Sequence, residues 1–278
     1  MAIIEKEKNG KKGFYFLGYS VWRIFAYFII YSVLGFIIET LYGAITKGVI
    51  ESRQSFLYGP FCSIYGLGAV IMIVFLQYFK KNNNTLFWGG FLIGSITEYL
   101  VSLVGELILN VKWWDYSNMP LNIDGRICVF FSIFWGLLAI YLMTYINPKV
   151  DKLIEKFKNK MSMKILKSIT TIVTVILFID CIITGYAINM FQLRMVYRNN
   201  IDVKLERTII EKLYNDVYGN KKRSDFIYKY FGDKKMIRTF PNLKIEDKNN
   251  NMIYFDSLLP DIQPYYYKFQ HVIGLNKK

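Results

Sequence analysis

Four carboxylates interrupt segments that are otherwise apolar: Glu39, Glu98, Glu106 and Asp180. An ionisable group in the centre of a bilayer costs roughly 2.5–3.5 kcal/mol on insertion scales. A chain that keeps several must use them or pair them between helices. The chemistry open to them is reversible protonation, binding of a cation or amine, or hydrogen bonding to a polar solute. The structural reading beside it is a buried carboxylate tied to a Tyr, Ser or Arg. Glu98 and Glu106 lie eight residues apart, about two helical turns, so they face nearly the same way. Glu106 sits near the end of its apolar run, where it can also reach water. For Asp180, within LFIDCIITGY, the expected partner is Arg126 or a tyrosine hydroxyl, with a neutral, protonated carboxyl as the other solution. Arg53 and Arg126 can each neutralise a glutamate or hold an anion bidentately. Arg126 follows Asp124-Gly125, so it can equally stabilise a local turn. Asp115, next to Trp113, Trp114 and Tyr116, belongs to an aromatic-acidic cluster and either joins the polar path or caps a turn.

The elements that must position these groups are membrane helices. Apolar residues make up 53% of the 278 residues and aromatics 18%, and the apolar ones are bunched into runs. A run of about 20 spans a bilayer. Five are expected, at roughly 22–45, 60–80, 86–109, 127–147 and 168–190. This makes an all-α membrane protein. A cytoplasmic segment at 1–21 precedes the bundle at 22–190, and an extramembrane tail at 191–278 follows it. The first run is too long for a signal-peptide core and reads as a retained span.

The net charge of +14 does not point to nucleic acid. Seven lysines crowd residues 149–167 (Lys149, Lys152, Lys156, Lys158, Lys160, Lys164 and Lys167), four precede the first span, and Lys80 and Lys81 follow the second. By the positive-inside rule these segments are cytoplasmic, where they also meet anionic lipid. Five spans then leave the C-terminus outside. Arg194, Arg198, Lys204 and Arg207, just after the fifth span, pull the other way.

The spans carry an internal repeat, with copies at 22–80 and 86–147. GFIIETLYG at 35–43 resembles GSITEYLVS at 94–102, which aligns Glu39 with Glu98 at an offset of 59. GPFC at 59–62 matches GRIC at 125–128, and IYGLGAVI at 64–71 matches FWGLLAIY at 134–141 at an offset of 70. Both copies begin on an odd-numbered span, so the repeat is parallel, and a pseudo-twofold axis would bring Glu39 and Glu98 together. Gly90 and Gly94 follow the small-xxx-small pattern of closely packed helices. The loops at 46–61 and 110–127 mix aromatics, charges, Gly and Pro. They either pack at the interface or fold back as caps over the bundle.

The tail is Tyr/Phe-rich and broken by Pro241, Pro260 and Pro264. A helix is expected at 203–217, a turn at the Asn triplet 249–251, and a short strand or helix at 252–259. The expectation is a partly ordered appendage. Cys62, Cys128 and Cys181 lie in or beside apolar runs and His271 is the sole histidine, so no cofactor or metal is expected. The P-loop, HExxH, GxSxG and CxxC patterns are absent, so the chain is not expected to be an enzyme.

Longer strings carry a family likeness: YSVLGFIIET at 31–40, SFLYGPFCSIYGLGA at 55–69, EYLVSLVGE at 98–106, WWDYS at 113–117 and GRICVFFSIFWG at 125–136. FPNL at 240–243, preceded by Asp233 and Met236, completes it. With these the chain resembles a family of bacterial membrane proteins, the type IV ABC-transporter permeases of CmpB type. The resemblance implies a multi-pass protein of a bacterial cell membrane that works with a separate ATPase chain on a small-molecule substrate. The lysine-rich stretch is then either the ATPase dock or an amphipathic connector held to lipid. The expected function is a permease subunit. The alternatives are a sensory or interaction protein acting through its tail, and an intramembrane enzyme on a lipid or envelope precursor.

Overall fold

The structure is a computed structural model describing residues 14–109 and 114–269. Helix α1 is Val21–Lys47, α2 is Ser63–Leu76 with a 3-10 extension over Gln77–Phe79, and α3 is Asn83–Leu109. Helix α4, Val129–Tyr141, runs through a π turn at Leu142–Ile146 into α5, Asn147–Lys160. Helix α6 is Met163–Arg198, followed by α7 Arg207–Tyr218, α8 Lys221–Phe231 and α9 Asp233–Thr239. Four of these stretches are long and apolar enough to cross a membrane: Val21–Lys47, Asn83–Ile108, Val129–Lys160 and Met163–Arg198. The expected run at 60–80 forms the shorter apolar helix Ser63–Phe79.

The basic stretch at 149–167, expected as a link between spans, is helical. The helix begun at Val129 continues to Lys160, and only Met161 and Ser162 separate it from α6. Pro148 explains the π turn, because it has no N–H for the carbonyl of Thr144 four residues back.

The chain divides into two compact units. The first holds the residues up to Gly35, Cys62–Leu103 and Asp115–Phe178. Its core includes Tyr27, Ile73, Leu76, Ala139, Leu142 and Ile154. Small residues set the helix contacts. A methyl on Gly35 would lie 2.3 Å from the Cβ of Tyr65, and one on Gly94 would lie 2.5 Å from the Cβ of Trp135. Likewise a methyl on Gly66 would lie 2.6 Å from the Phe28 carbonyl, and one on Gly136 would lie 2.9 Å from the Phe87 carbonyl. The α1 residues of these contacts precede their α3 counterparts by 59 positions, and the α2 residues precede their α4 counterparts by 70. Gly90, as its spacing predicted, also sits against α4, at Ala139. The outward faces of α3 and α6 leave Leu92, Ile96, Leu100, Ile172 and Ile176 exposed, which suits helices solvated by lipid.

Of the described residues, the second unit holds Phe36–Phe61, Val104–Leu109 with Trp114, and those from Ile179 to Phe269. The C-terminal segment is more built than the expected appendage. Its α7, α8 and α9 share a core with the end of α6, centred on Phe191, Ile227, Met236, Ile237 and Phe255. The expected helix at 203–217 is Arg207–Tyr218. Strands Lys244–Glu246 and Met252–Tyr254 pair antiparallel around the asparagine turn. Strand Tyr265–Lys268 pairs with Val49–Glu51, just after α1.

Candidate functional site

In the first unit α3 turns Ser95, Glu98 and Ser102 to one face. All three are buried. Glu98 accepts two hydrogen bonds: Trp135 Nε1 on α4 donates to Oε2 at 2.9 Å, and the Tyr116 hydroxyl donates to Oε1 at 2.9 Å. Tyr116 stacks on Phe131, with ring centres 4.6 Å apart. Burial, and then the neighbouring Glu98 carboxylate, pushes the Tyr116 phenol well above its usual range, so it stays a donor. One turn to either side the polar face continues. Ser95 Oγ and Ser132 Oγ are 2.7 Å apart, and Arg126 Nη1 donates to Ser102 Oγ at 3.1 Å. The Arg126 guanidinium also lies 5.8 Å from the Tyr99 ring centre, and the Tyr99 hydroxyl donates to Asp124.

The loop that delivers Tyr116 and Arg126 is therefore folded back on α3. Its shape comes from local turn chemistry. Asp115 Oδ1 accepts from the amide and hydroxyl of Ser117, and Gly125 at φ +64° brings the chain past them. Asp115 is exposed and serves as a turn cap, the structural half of its sequence reading. Trp114 is half-buried, while Trp113 lies outside the described residues.

The first unit also contains a polar network the sequence reading passed over. Arg23 is 1% exposed. Its Nη2 donates to Asp151 Oδ1 on α5 at 2.7 Å and its Nε to the Tyr27 hydroxyl at 2.9 Å. Tyr27 donates to the same Asp151, and Tyr31 donates to Asn147. The signal was present. Arg23, Tyr27 and Tyr31 stand at four-residue spacing inside the first apolar run, as do Asn147 and Asp151 on α5. Nothing in their spacing told that the two sets would meet.

In the second unit Asp180 is buried on α6. It accepts the Tyr58 amide at 3.0 Å and the Thr184 hydroxyl at 3.2 Å, and Thr184 in turn receives the Leu57 amide. The partner expected from sequence, Arg126 or a tyrosine hydroxyl, is thus replaced by a backbone amide and a threonine, because the 52–61 loop folds onto the helix. Lys235 donates to the Tyr58 hydroxyl and stands 4.2 Å from its ring centre.

Arg53 pairs with Glu51 at 2.6 Å, and Glu51 also takes Lys47 at 2.9 Å. Glu51 is a buried carboxylate absent from the sequence candidates. The Arg53 guanidinium covers Gly43, where a methyl would meet Nη2 at 2.9 Å. In each hairpin, then, the loop arginine lies on the residue four positions after the glutamate: Arg53 on Gly43, Arg126 on Ser102. Glu39 on α1 and Glu106 near the end of α3 are both half-buried in this unit. Two arginines anchor the C-terminal segment. Arg194, fully buried, donates to Asp233 at 2.7 Å and to the Phe231 carbonyl at 3.0 Å, and Arg198 reaches the other Asp233 oxygen at 3.1 Å. Among the described residues no group of three or more His, Cys, Asp or Glu is placed to hold a metal.

The family model described as "Putative ABC-transporter type IV" matches residues 26–185. That is more than half of the chain, and the chain belongs to this family. No curated protein and no solved structure matches it.

Proposed function

From that membership we propose that the chain is the permease subunit of a transport system in a bacterial cell membrane, working with a separate ATPase chain. The observation that carries this reading is Glu98. A carboxylate in the middle of a membrane helix keeps its place through donors from another helix and a folded-back loop. The Ser95–Glu98–Ser102 face of α3 is the proposed polar path, with Arg126 and the 114–128 loop as its closure. Glu39, Glu106 and Asp180 are proposed as further carboxylates of substrate or coupling chemistry. Arg53 would act on the first hairpin's loop as Arg126 does on the second. Asp115 caps the turn that carries this loop and is proposed to act on the path through it.

The proposed architecture has five spans, α2 being the short one, and duplicated hairpins. Seventeen residues is the lower end of what crosses a bilayer. The matched contacts of Gly66 with Phe28 and of Gly136 with Phe87 support duplication. An inside N-terminus and outside C-terminus are supported by the fate of the arginines that argued otherwise. Arg194 and Arg198 are committed to Asp233, and Arg207 donates to the Val196 and Tyr197 carbonyls at the end of α6.

Affinity purification from native membranes in mild detergent tests the reading. A stoichiometric P-loop ATPase among the recovered chains is the expected result, and repeated recovery of the protein alone would count against ATP-driven transport. A second reading, an interaction protein working through its C-terminal segment, is favoured by the buried Arg194–Asp233 anchor. It predicts that removal of residues 200–278 abolishes function while Glu98→Gln is tolerated.

A further inference from the structure

We infer that the exposed face of α5 and the start of α6 is a binding surface for the phosphate headgroups of anionic phospholipids. The helix from Val129 to Lys160 has 32 residues. At about 1.5 Å per residue it is about 48 Å long, against a hydrocarbon layer of about 30 Å. The excess, about twelve residues, is close to the length of α5, so α5 lies where headgroups lie.

Its three faces are sorted by chemistry. Asn147, Val150 and Ile154 are buried. Asp151 and Glu155 are held by Arg23, at 2.7 Å and 3.7 Å, and Lys158 adds a second bond to Glu155. The acidic residues of the helix are thus neutralised by Arg23 and by Lys158. Lys149, Lys152, Lys156 and Lys160 form one stripe at spacings of three and four, and Lys164 and Lys167 follow beyond the break. All six are exposed, and among the described residues none has an ion-pair or hydrogen-bond partner.

Two further observations distinguish a lipid from a water-facing charge run. Leu153 and Phe157 are exposed immediately beside the lysine stripe, at 42% and 47%, an arrangement that places apolar side chains at acyl depth and ammonium groups at phosphate depth. A groove of about 580 Å³ also runs along the helix, with Lys152, Lys156 and Lys160 on one edge and Asp151 and Glu155 on the other. The neutralised acidic edge does not oppose a phosphate there.

The test uses the purified full-length chain in mild detergent, titrated with phosphatidylglycerol or phosphatidylcholine and read by native mass spectrometry. The expected result is preferential retention of phosphatidylglycerol, weakened by salt. That preference should fall on the order of fivefold per lysine removed in a graded series ending in the Lys149, Lys152, Lys156, Lys160→Gln variant. Removing the same charge at Lys212, Lys221, Lys222 and Lys234 should leave it unchanged. Equal retention of the two lipids, or an unchanged preference in the α5 variant, overturns the proposal. So does an α5 variant that keeps its lipid but loses an acidic protein partner, which would make this face a protein dock.

Discussion

Trp135 holds Glu98 and Gly94 at once. Its indole N–H donates to the Glu98 carboxylate at 2.9 Å, and its Cβ occupies the space that a side chain on Gly94 would need. One residue of α4 therefore fixes both the closeness of α3 and α4 and the direction of the carboxylate. Tyr116 supplies the second donor from the folded-back loop. The carboxyl group keeps its place because the helix contact and the loop are built around it.

Removing the acceptor should cost more than replacing the acid by its amide. Glu98→Ala leaves the Trp135 and Tyr116 donors without their partner, at about 1–3 kcal/mol for each buried group. Glu98→Gln keeps one oxygen as an acceptor. Thermal unfolding in detergent should rank wild type, then Glu98→Gln, then Glu98→Ala. Equal midpoints for the two variants would mean that the donors find other partners.

Gly66 and Gly136 should behave alike. Each faces a carbonyl oxygen of the preceding helix, Phe28 and Phe87, at less than 3 Å from an added methyl. Gly66→Ala and Gly136→Ala should each destabilise by about 1–3 kcal/mol through overpacking. A control at Gly68, where an added methyl meets nothing within 4 Å, should be neutral or slightly stabilising. A neutral result at one of the first two positions would break the correspondence between the hairpins.

Asp233→Ala should loosen the C-terminal segment, because it strands the fully buried Arg194. Breaking a buried pair on one side costs about 3–5 kcal/mol. Limited proteolysis should then cut the 199–240 region faster than in wild type. The double variant Arg194→Met, Asp233→Leu should recover much of the protection, since apolar replacement of both partners removes the stranded charge. Equal protection of Asp233→Ala and wild type would show that the anchor lies elsewhere.

The hairpin turn gives a pH dependence with a defined sign. Asp247 accepts the Asn251 side chain and the amides of Asn251 and Asn249, and these bonds hold its carboxyl below the usual range. A depressed carboxylate stabilises the folded turn fully above its unfolded value of about 3.9, and that contribution is lost as pH falls through the folded value. Amide exchange at Asn249 and Asn251, corrected for its intrinsic pH dependence, should accelerate below that range. Asp247→Asn should show the faster exchange already at neutral pH. A profile that is flat between pH 6 and the acid limit in wild type would contradict the assignment.

Much of the membrane helix content was legible in the sequence, because hydropathy reports the solvent a segment prefers and lipid is a distinctive solvent. Glu98 was legible for the same reason, as a polar residue in the wrong medium. Gly94 was legible from its spacing to Gly90. The partners were not. Arg23 and Asp151 are 128 positions apart and Arg194 and Asp233 are 39 apart, and no local period encodes which distant carboxylate a buried guanidinium will meet. Asp180 shows the limit most sharply. Its donor is the Tyr58 backbone amide, a group every residue but proline carries. The lysine stretch was legible as a connector between spans, but its helical form was not, because charge density hides the three-and-four spacing of its buried side, Asn147, Val150 and Ile154.

The most direct test of a polar path along α3 is its reach by water. In a background with Cys62, Cys128 and Cys181 replaced, Ser102→Cys and Leu100→Cys are labelled in native membranes with a membrane-impermeant thiosulfonate. Ser102 shares the buried polar face with Glu98, while Leu100 is half exposed on the face proposed to meet lipid. The account predicts that the cysteine at position 102 reacts and the one at position 100 does not. An inert position 102, or equal reaction at both, would contradict it.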